Sequence, residues 1–182
     1  PKQTIPDTSI FYQKALNLEG IPSFSIHSTC LSFLVAFNTA SALIESKVYE
    51  RILIISSDRG TIGRNYKEPE SASLLGDGAA AVVLEPSKQD EHGKLLYYTM
   101  NTWPSGAHLT EVRGGGTFKH PQNPKTKISD NLFSMDGPGI YKIARKKVYR
   151  LVSKTLKHTN LKKEDIDWVV PHQACLLYTS PS

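Results

Sequence analysis

Cysteine is nearly absent: Cys30 and Cys175 are the only two in 182 residues, far apart and without metal-ligand spacing, so neither a disulfide framework nor a zinc site is indicated. No apolar run approaches the roughly 20 residues that span a bilayer. The opening Pro1-Lys2-Gln3-Thr4 lacks the charged-then-apolar plan of a signal peptide. No membrane partner is therefore expected, and the expected location is cytoplasmic. There is also no internal repeat and no low-complexity stretch. What remains, 39% hydrophobic and 21% charged residues, is the composition of a chain that folds around a core.

The charge balance is mildly basic, 22 − 17 = +5. Much of the excess falls between Lys142 and Lys163, where Lys142, Arg145, Lys146, Lys147, Arg150, Lys154, Lys157, Lys162 and Lys163 outnumber Glu164 and Asp165. A solvated helix face explains such a run, and an acidic macromolecular partner is the second reading. No recognition motif accompanies the lysines, so no nucleic-acid partner is expected.

Along the chain, residues 8–18 read as a short helix with Ile10, Phe11, Ala15 and Leu18 inward, closed by Gly20, and Ser23–His27 as a strand. From Cys30 to Lys47 the pattern is helical but apolar nearly all round, the mark of a buried helix. Arg51–Ser56 and Ala79–Leu84 are continuous apolar runs of strand length, which imply a helix-covered sheet in an α/β fold. The polar stretch Pro86–Gly93 is the best internal boundary. Beyond it come a strand, Leu95–Met100, and a Gly- and Pro-rich loop, Trp103–Pro124. An amphipathic helix over 139–157 follows, with Asp136 placed to cap it and Pro138 near its first turn. The last expected element is a buried strand, Ile166–Pro171, ending at His172.

Cys30 stands where a strand gives way to the apolar helix, so its sulfur would meet a helix N-terminus, where unpaired amides and the dipole favour a thiolate nucleophile. Against that, a free cysteine is commonly buried and inert. His172, at the end of a strand, would sit at a sheet edge where sites of open α/β sheets gather, although a lone histidine is more often structural. Gly76-Asp77-Gly78-Ala79 lacks the lysine and the following helix of a phosphate loop and reads as a structural turn. Gly114-Gly115-Gly116 reads as a mobile loop.

Taken together, Ser28-Thr29-Cys30-Leu31-Ser32-Phe33-Leu34, Leu74 to Glu85 with its Gly-Asp-Gly-Ala turn, and Asp167-Trp168-Val169-Val170-Pro171-His172-Gln173-Ala174 follow the order and approximate spacing of one family. The chain resembles β-ketoacyl-acyl-carrier-protein synthase III from about Thr4 to Ala174. The resemblance implies a thiolase-like fold of two related α/β halves with helix-covered mixed sheets. Residues 1–89 would be the latter part of the first half and 90–174 the first part of the second. It also implies that Cys30 and His172 are catalytic. Cys30 would take an acyl group from a coenzyme A or carrier-protein thioester. A malonyl thioester would then lose carbon dioxide, and the carbanion would attack the acyl-enzyme. His172 would donate a hydrogen bond to the developing enolate, and the Cys30 amide would line an oxyanion hole.

By the same resemblance, Ser134 to Tyr141 would line the pantetheine tunnel, with Met135, Gly137 and Tyr141 as contacts, and Ala174 would also bind substrate. Leu75 and Ile5 would shape the acyl pocket, Ile5 on a loop crossing a homodimer interface. Helix and core packing explain Tyr141, Leu75 and Ile5 equally well. The implied partners are acyl-CoA and an acidic acyl carrier protein, with no metal or redox cofactor.

The chain departs from the family in four places. Leu31 and Ser32 replace the usual small residue and glycine after the cysteine, and the arginine expected near the nucleotide is replaced around Pro69-Glu70. The asparagine that completes the family's triad lies beyond the last residue, so an internal fragment is expected, inactive alone and exposing apolar surface. Residues 175–182 depart from the family and read as a non-native tail. The alternatives are a non-decarboxylative acyltransferase or head-to-head condensing enzyme on the same cysteine, and a non-catalytic acyl-thioester-binding paralogue.

Overall fold

The structure, a computed structural model, describes residues 2–88 and 93–173. The chain divides into two compact units, Pro1–Ser56 with Ala81–Gly93, and Ser57–Ala80 with Lys94–Ser182.

In the first unit, helix α1 (Thr8–Ala15) is started by Asp7, whose carboxylate accepts from the Ser9 N–H at 3.1 Å and from the Ser25 hydroxyl at 2.9 Å. These donors hold the Asp7 carboxyl below its ordinary range, the Ser9 hydroxyl contributing most. The helix stops near Asn17 and Gly20, both at positive φ, where the left-handed conformation breaks the helical repeat. Helix α2 (Ser32–Glu45) is the apolar helix. It closes with Lys47 at φ 60 and Val48 N–H returning to the Leu43 carbonyl at 3.0 Å, a Schellman stop built without glycine.

Strand β1 (Ile52–Arg59) pairs with β2 (Asp77–Leu84), and both are longer than their apolar runs suggested. At the end of β1 the Gly60 N–H donates to the Gly76 carbonyl at 3.2 Å. A Cβ on Gly60 would stand 2.7 Å from that same oxygen, so this approach requires glycine. Asp77 then accepts from the Thr61 N–H and hydroxyl, each at 2.9 Å; because Asp77, Gly78 and Ala79 are the first residues of β2, the Gly-Asp-Gly-Ala segment starts a strand and is not the turn expected of it.

In the second unit a short helix, α3 (Pro69–Ala72), precedes β2, and two short strands, β3 (Thr110–Glu111) and β4 (Ser134–Met135), pair antiparallel with Thr110 opposite Met135. Helix α4 (Gly137–Thr159) follows β4 directly. Asp136 is its N-cap, accepting from the Gly139 N–H at 2.9 Å, and Pro138 occupies the first turn, as its sequence indicates. Asn160, at φ 55, ends it in the left-handed conformation.

Three expected strands are not formed: residues 23–27, 95–100 and 166–171 belong to no ladder. Their residue types suit strands, but a strand exists through hydrogen bonds to a neighbour, and none is described for these segments. Burial differs in the same direction. Among the described residues only Ala40, Ile54 and Ala72 are buried apolar side chains, so neither α2 nor the β1–β2 pair is enclosed as their composition suggested. The inward positions assigned to Ile10 and Leu18 are likewise exposed. The 166–171 segment shows the effect most strongly, with Trp168 87% and Val170 90% exposed.

Candidate active site

Cys30 lies in the tight turn that leads into α2. The Leu31 N–H donates to the Ser28 carbonyl at 3.0 Å, and the Ser32 N–H to the Thr29 carbonyl at 3.0 Å. The Ser32 hydroxyl ties the same turn from within, accepting from the Ser28 N–H at 2.8 Å and donating to the Thr29 carbonyl at 2.6 Å. Thr29 sits at φ 49, a left-handed conformation that a β-branched residue adopts only under strain. The consequence is an exposed thiol two residues before the first turn of a 14-residue helix whose N-cap, Leu31, provides no side-chain cap. Cys30 is thus neither buried nor inside the helix, which corrects the expectation of a wholly buried helix starting at residue 30. An accessible cysteine just ahead of a helix that has no side-chain cap is an arrangement suited to nucleophilic attack and to holding negative charge.

His172 is exposed and lies on the extended segment 166–173. Cys30 and Ile5 belong to the first unit, and His172, Leu75, Met135, Gly137 and Tyr141 to the second. Ile5 is 81% exposed. Ala174 and the tail 175–182 lie outside the described residues.

Within the second unit, the sequence-predicted contacts Met135, Gly137 and Tyr141 fall on one continuous piece, β4 and the start of α4, and this piece is fixed from several sides. β3 pairs with it, the Phe133 N–H donates to the Gly63 carbonyl at 2.8 Å, and the Asp136 N–H to the Leu109 carbonyl at 2.7 Å. Leu75 is half-buried, and its carbonyl accepts from Arg64 Nε at 2.8 Å and from a second guanidinium nitrogen. Tyr141 is half-buried and, with Lys142, Arg145, Lys146, Tyr149 and Arg150, lines an open basic groove of about 710 Å³. On another face of α4, an apolar hollow of about 260 Å³ lies between Trp103, Leu109, Ile140, Ala144 and Leu151, with Lys147 Nζ 5.0 Å from the Trp103 ring centre.

One residue of this region escaped sequence reasoning. Glu68, half-buried, reaches from the approach to α3 to β4: its Oε1 accepts from Asn65 Nδ2 at 3.0 Å and the Ser134 hydroxyl at 3.1 Å, and its Oε2 from the Met135 N–H at 3.2 Å. Ser71, buried, shares its hydroxyl between Glu68 Oε2 at 3.3 Å and the Glu68 carbonyl at 3.1 Å. No local motif announces a contact between residues 66 apart, and only the fold reveals it. Among the described residues no cluster of histidine, cysteine, aspartate and glutamate could hold a metal ion, and no helix is long and apolar enough to cross a membrane.

The fold defines the class. It superimposes with a TM-score of 0.80 on the 3-oxoacyl-[acyl-carrier-protein] synthase III of Aquifex aeolicus VF5, at 24% identity, covering 97% of this chain and 52% of that one. It matches a priming β-ketosynthase of the R1128 polyketide pathway at a TM-score of 0.82 and 22% identity, covering 98% of this chain and 52% of the other. This is a mixed α/β, thiolase-like fold.

The family is more particular. The family model for 3-oxoacyl-[acyl-carrier-protein] synthase III matches residues 24–103. The β-ketoacyl-[acyl-carrier-protein] synthases III of Chlorobium phaeobacteroides and Laribacter hongkongensis are each 31% identical to it, over 96% and 97% of this chain. Over the residues matched, the chain is similar to the 3-oxoacyl-[acyl-carrier-protein] synthase III family. It spans about half the length of these curated relatives, 53% and 52% respectively.

Proposed function

We propose that the protein carrying this chain is a condensing acyltransferase of the synthase III type, with Cys30 as its nucleophile. The observation that carries this reading is the exposed thiol in the strained turn ahead of α2, in a chain related over nearly its whole length to named synthases III. Cys30 sulfur attacks the carbonyl of an acyl-CoA or acyl-carrier thioester. The carbon–sulfur bond to the carrier breaks, and the carrier leaves as its thiol. Malonyl-carrier thioester then loses its carboxylate as carbon dioxide, and the enolate carbon attacks the Cys30 thioester, releasing a 3-oxoacyl thioester and regenerating the thiol.

In this reading His172 donates a hydrogen bond to the enolate oxygen, and the Cys30 N–H stabilises the oxyanion of acyl transfer. Met135, Gly137 and Tyr141 contact the pantetheine arm, Ala174 contributes to substrate binding, and Leu75 and Ile5 shape the acyl pocket. The face of α4 that carries Lys142, Arg145, Lys146 and Arg150 suits an acidic carrier protein. The activity belongs to lipid or related polyketide synthesis and needs no metal or redox cofactor. The protein divides into related halves near residue 90, works in the cytoplasm and functions as a homodimer.

The test is intact-mass labelling of the whole protein with a panel of acyl-CoA thioesters, beside Cys30→Ala, followed by malonyl-carrier thioester. The expected result is an acyl adduct absent from Cys30→Ala and discharged with release of carbon dioxide. No adduct with any donor overturns the reading in favour of a binding protein. Discharge only by other nucleophiles makes the protein a non-decarboxylative acyltransferase.

A further inference from the structure

We propose that Glu68 is a positioning residue for the thioester arm: its carboxylate acts as a strand-like brace that sets β4 and, through it, Met135, Gly137 and Tyr141. The inference rests on the assignment of those three residues to the arm.

The geometry gives Glu68 a role that a merely structural carboxylate would not need. β4 is two residues long, and β3 occupies one of its edges. On β4 itself, Glu68 takes the Met135 N–H at 3.2 Å and the Ser134 hydroxyl at 3.1 Å, one on each oxygen. A single side chain thereby engages both residues of the strand. Asp136, the next residue, caps α4, so a displacement of Met135 passes to Gly137 without an intervening loop.

The chemistry of the seat selects a carboxylate. Both oxygens meet donors, and an ionised carboxylate accepts at every lone pair. An amide of the same shape must turn its NH₂ toward the Met135 N–H, which cannot accept, or toward Asn65. Asn65 cannot readily reverse its own amide, because its Oδ1 already accepts from the Lys67 N–H at 3.2 Å. On the other side the Ser71 hydroxyl, 2% exposed, donates to Oε2 at 3.3 Å. Glu68→Gln therefore keeps the volume while disturbing the brace, and Glu68→Asp shortens it by a methylene.

The experiment compares two acyl donors in the whole protein. One is acyl-CoA, which carries the complete arm. The other is the matching acyl-N-acetylcysteamine thioester, which lacks the distal half of pantetheine and the nucleotide. For Glu68→Gln the KM for acyl-CoA is expected to rise on the order of tenfold, the loss of one charged hydrogen bond, while acylation of Cys30 by the truncated donor stays within about twofold of wild type. Asn65→Ala, which removes another donor from the same carboxylate, is expected to show the same selectivity with a smaller rise, and it carries the test if Glu68→Gln does not fold.

Equal loss with both donors in either variant overturns the inference, because a fold defect lowers the active fraction without regard to the donor. Unchanged KM for both donors overturns it as well. A wild type that labels with neither donor refutes the proposed function and this inference with it. Labelling in the wild type without donor selectivity in the variants refutes the inference alone.

Discussion

Removing the Asp136 side chain tests how α4 is started and, with it, how the candidate arm-binding segment is held. Asp136 accepts from the Gly139 N–H at 2.9 Å, and its main chain is fixed independently, through its N–H to the Leu109 carbonyl at 2.7 Å and through its carbonyl to the Ile140 N–H at 3.0 Å. Asp136→Ala therefore leaves the backbone path intact and deletes only the cap. The lost hydrogen bond costs about 1 kcal/mol. The lost negative charge at the positive end of the helix dipole adds roughly 0.3–1 kcal/mol. The sum, about 1.5 kcal/mol, corresponds to a fall in Tm of about 3–6 °C under the scaling for domains of roughly 150–250 residues. Asp136→Asn keeps an acceptor in the same place and should lose only the smaller, dipole-related part. Thermal and urea unfolding of the three proteins side by side measure this. An alanine variant as stable as wild type, or an asparagine variant as weak as the alanine one, would refute the capping argument.

Two further outcomes follow from charge. Thr61, through its N–H first and its hydroxyl second, holds the Asp77 carboxyl below its ordinary range. A lowered folded value means stability that is present above the usual carboxylate range and is lost as pH falls through the lowered value. The acid limb of an unfolding profile should accordingly be shallower for Asp77→Asn than for wild type, and identical limbs would contradict the assignment. Helix α4 contains seven lysines and arginines and no acidic residue, so Lys142 with Lys146, Lys146 with Arg150, and Arg150 with Lys154 are like-charged neighbours one turn apart. Each such pair is unfavourable by about 0.2–0.5 kcal/mol, so raising salt from roughly 0.02 to 0.3 M should increase the Tm. A decrease would point to dominant attractive pairs.

Legibility in the sequence followed the range of the interactions. α4 could be read almost to its ends because its stripe, its cap at Asp136 and Pro138 are all local signals. β1 and β2 could be located from their apolar runs, though not their full lengths, since Asp77 and Arg59 join the ladder through pairing rather than composition. The segments 95–100 and 166–171 have strand-forming residues and no ladder, because neighbours, not propensity, make a strand. At the candidate site, Cys30 was found from its place before an apolar helix, yet its exposure and the strain at Thr29 depend on the turn geometry. Glu68 was invisible because its partners Ser134 and Met135 are distant in sequence, and a lone glutamate before a proline carries no signal of its own.

Trp168 gives the protein an optical handle. The chain contains two tryptophans. Trp103 lies beneath the Lys147 ammonium, whereas Trp168 is 87% exposed, four residues before His172 on the same extended segment. Its emission should therefore be that of an indole in water, open to neutral quenchers such as acrylamide. Any strand, subunit or substrate that covers the segment should shift that emission to the blue and shield it. With Trp103 replaced by phenylalanine, the remaining fluorescence would follow solvent access beside the proposed catalytic histidine in real time.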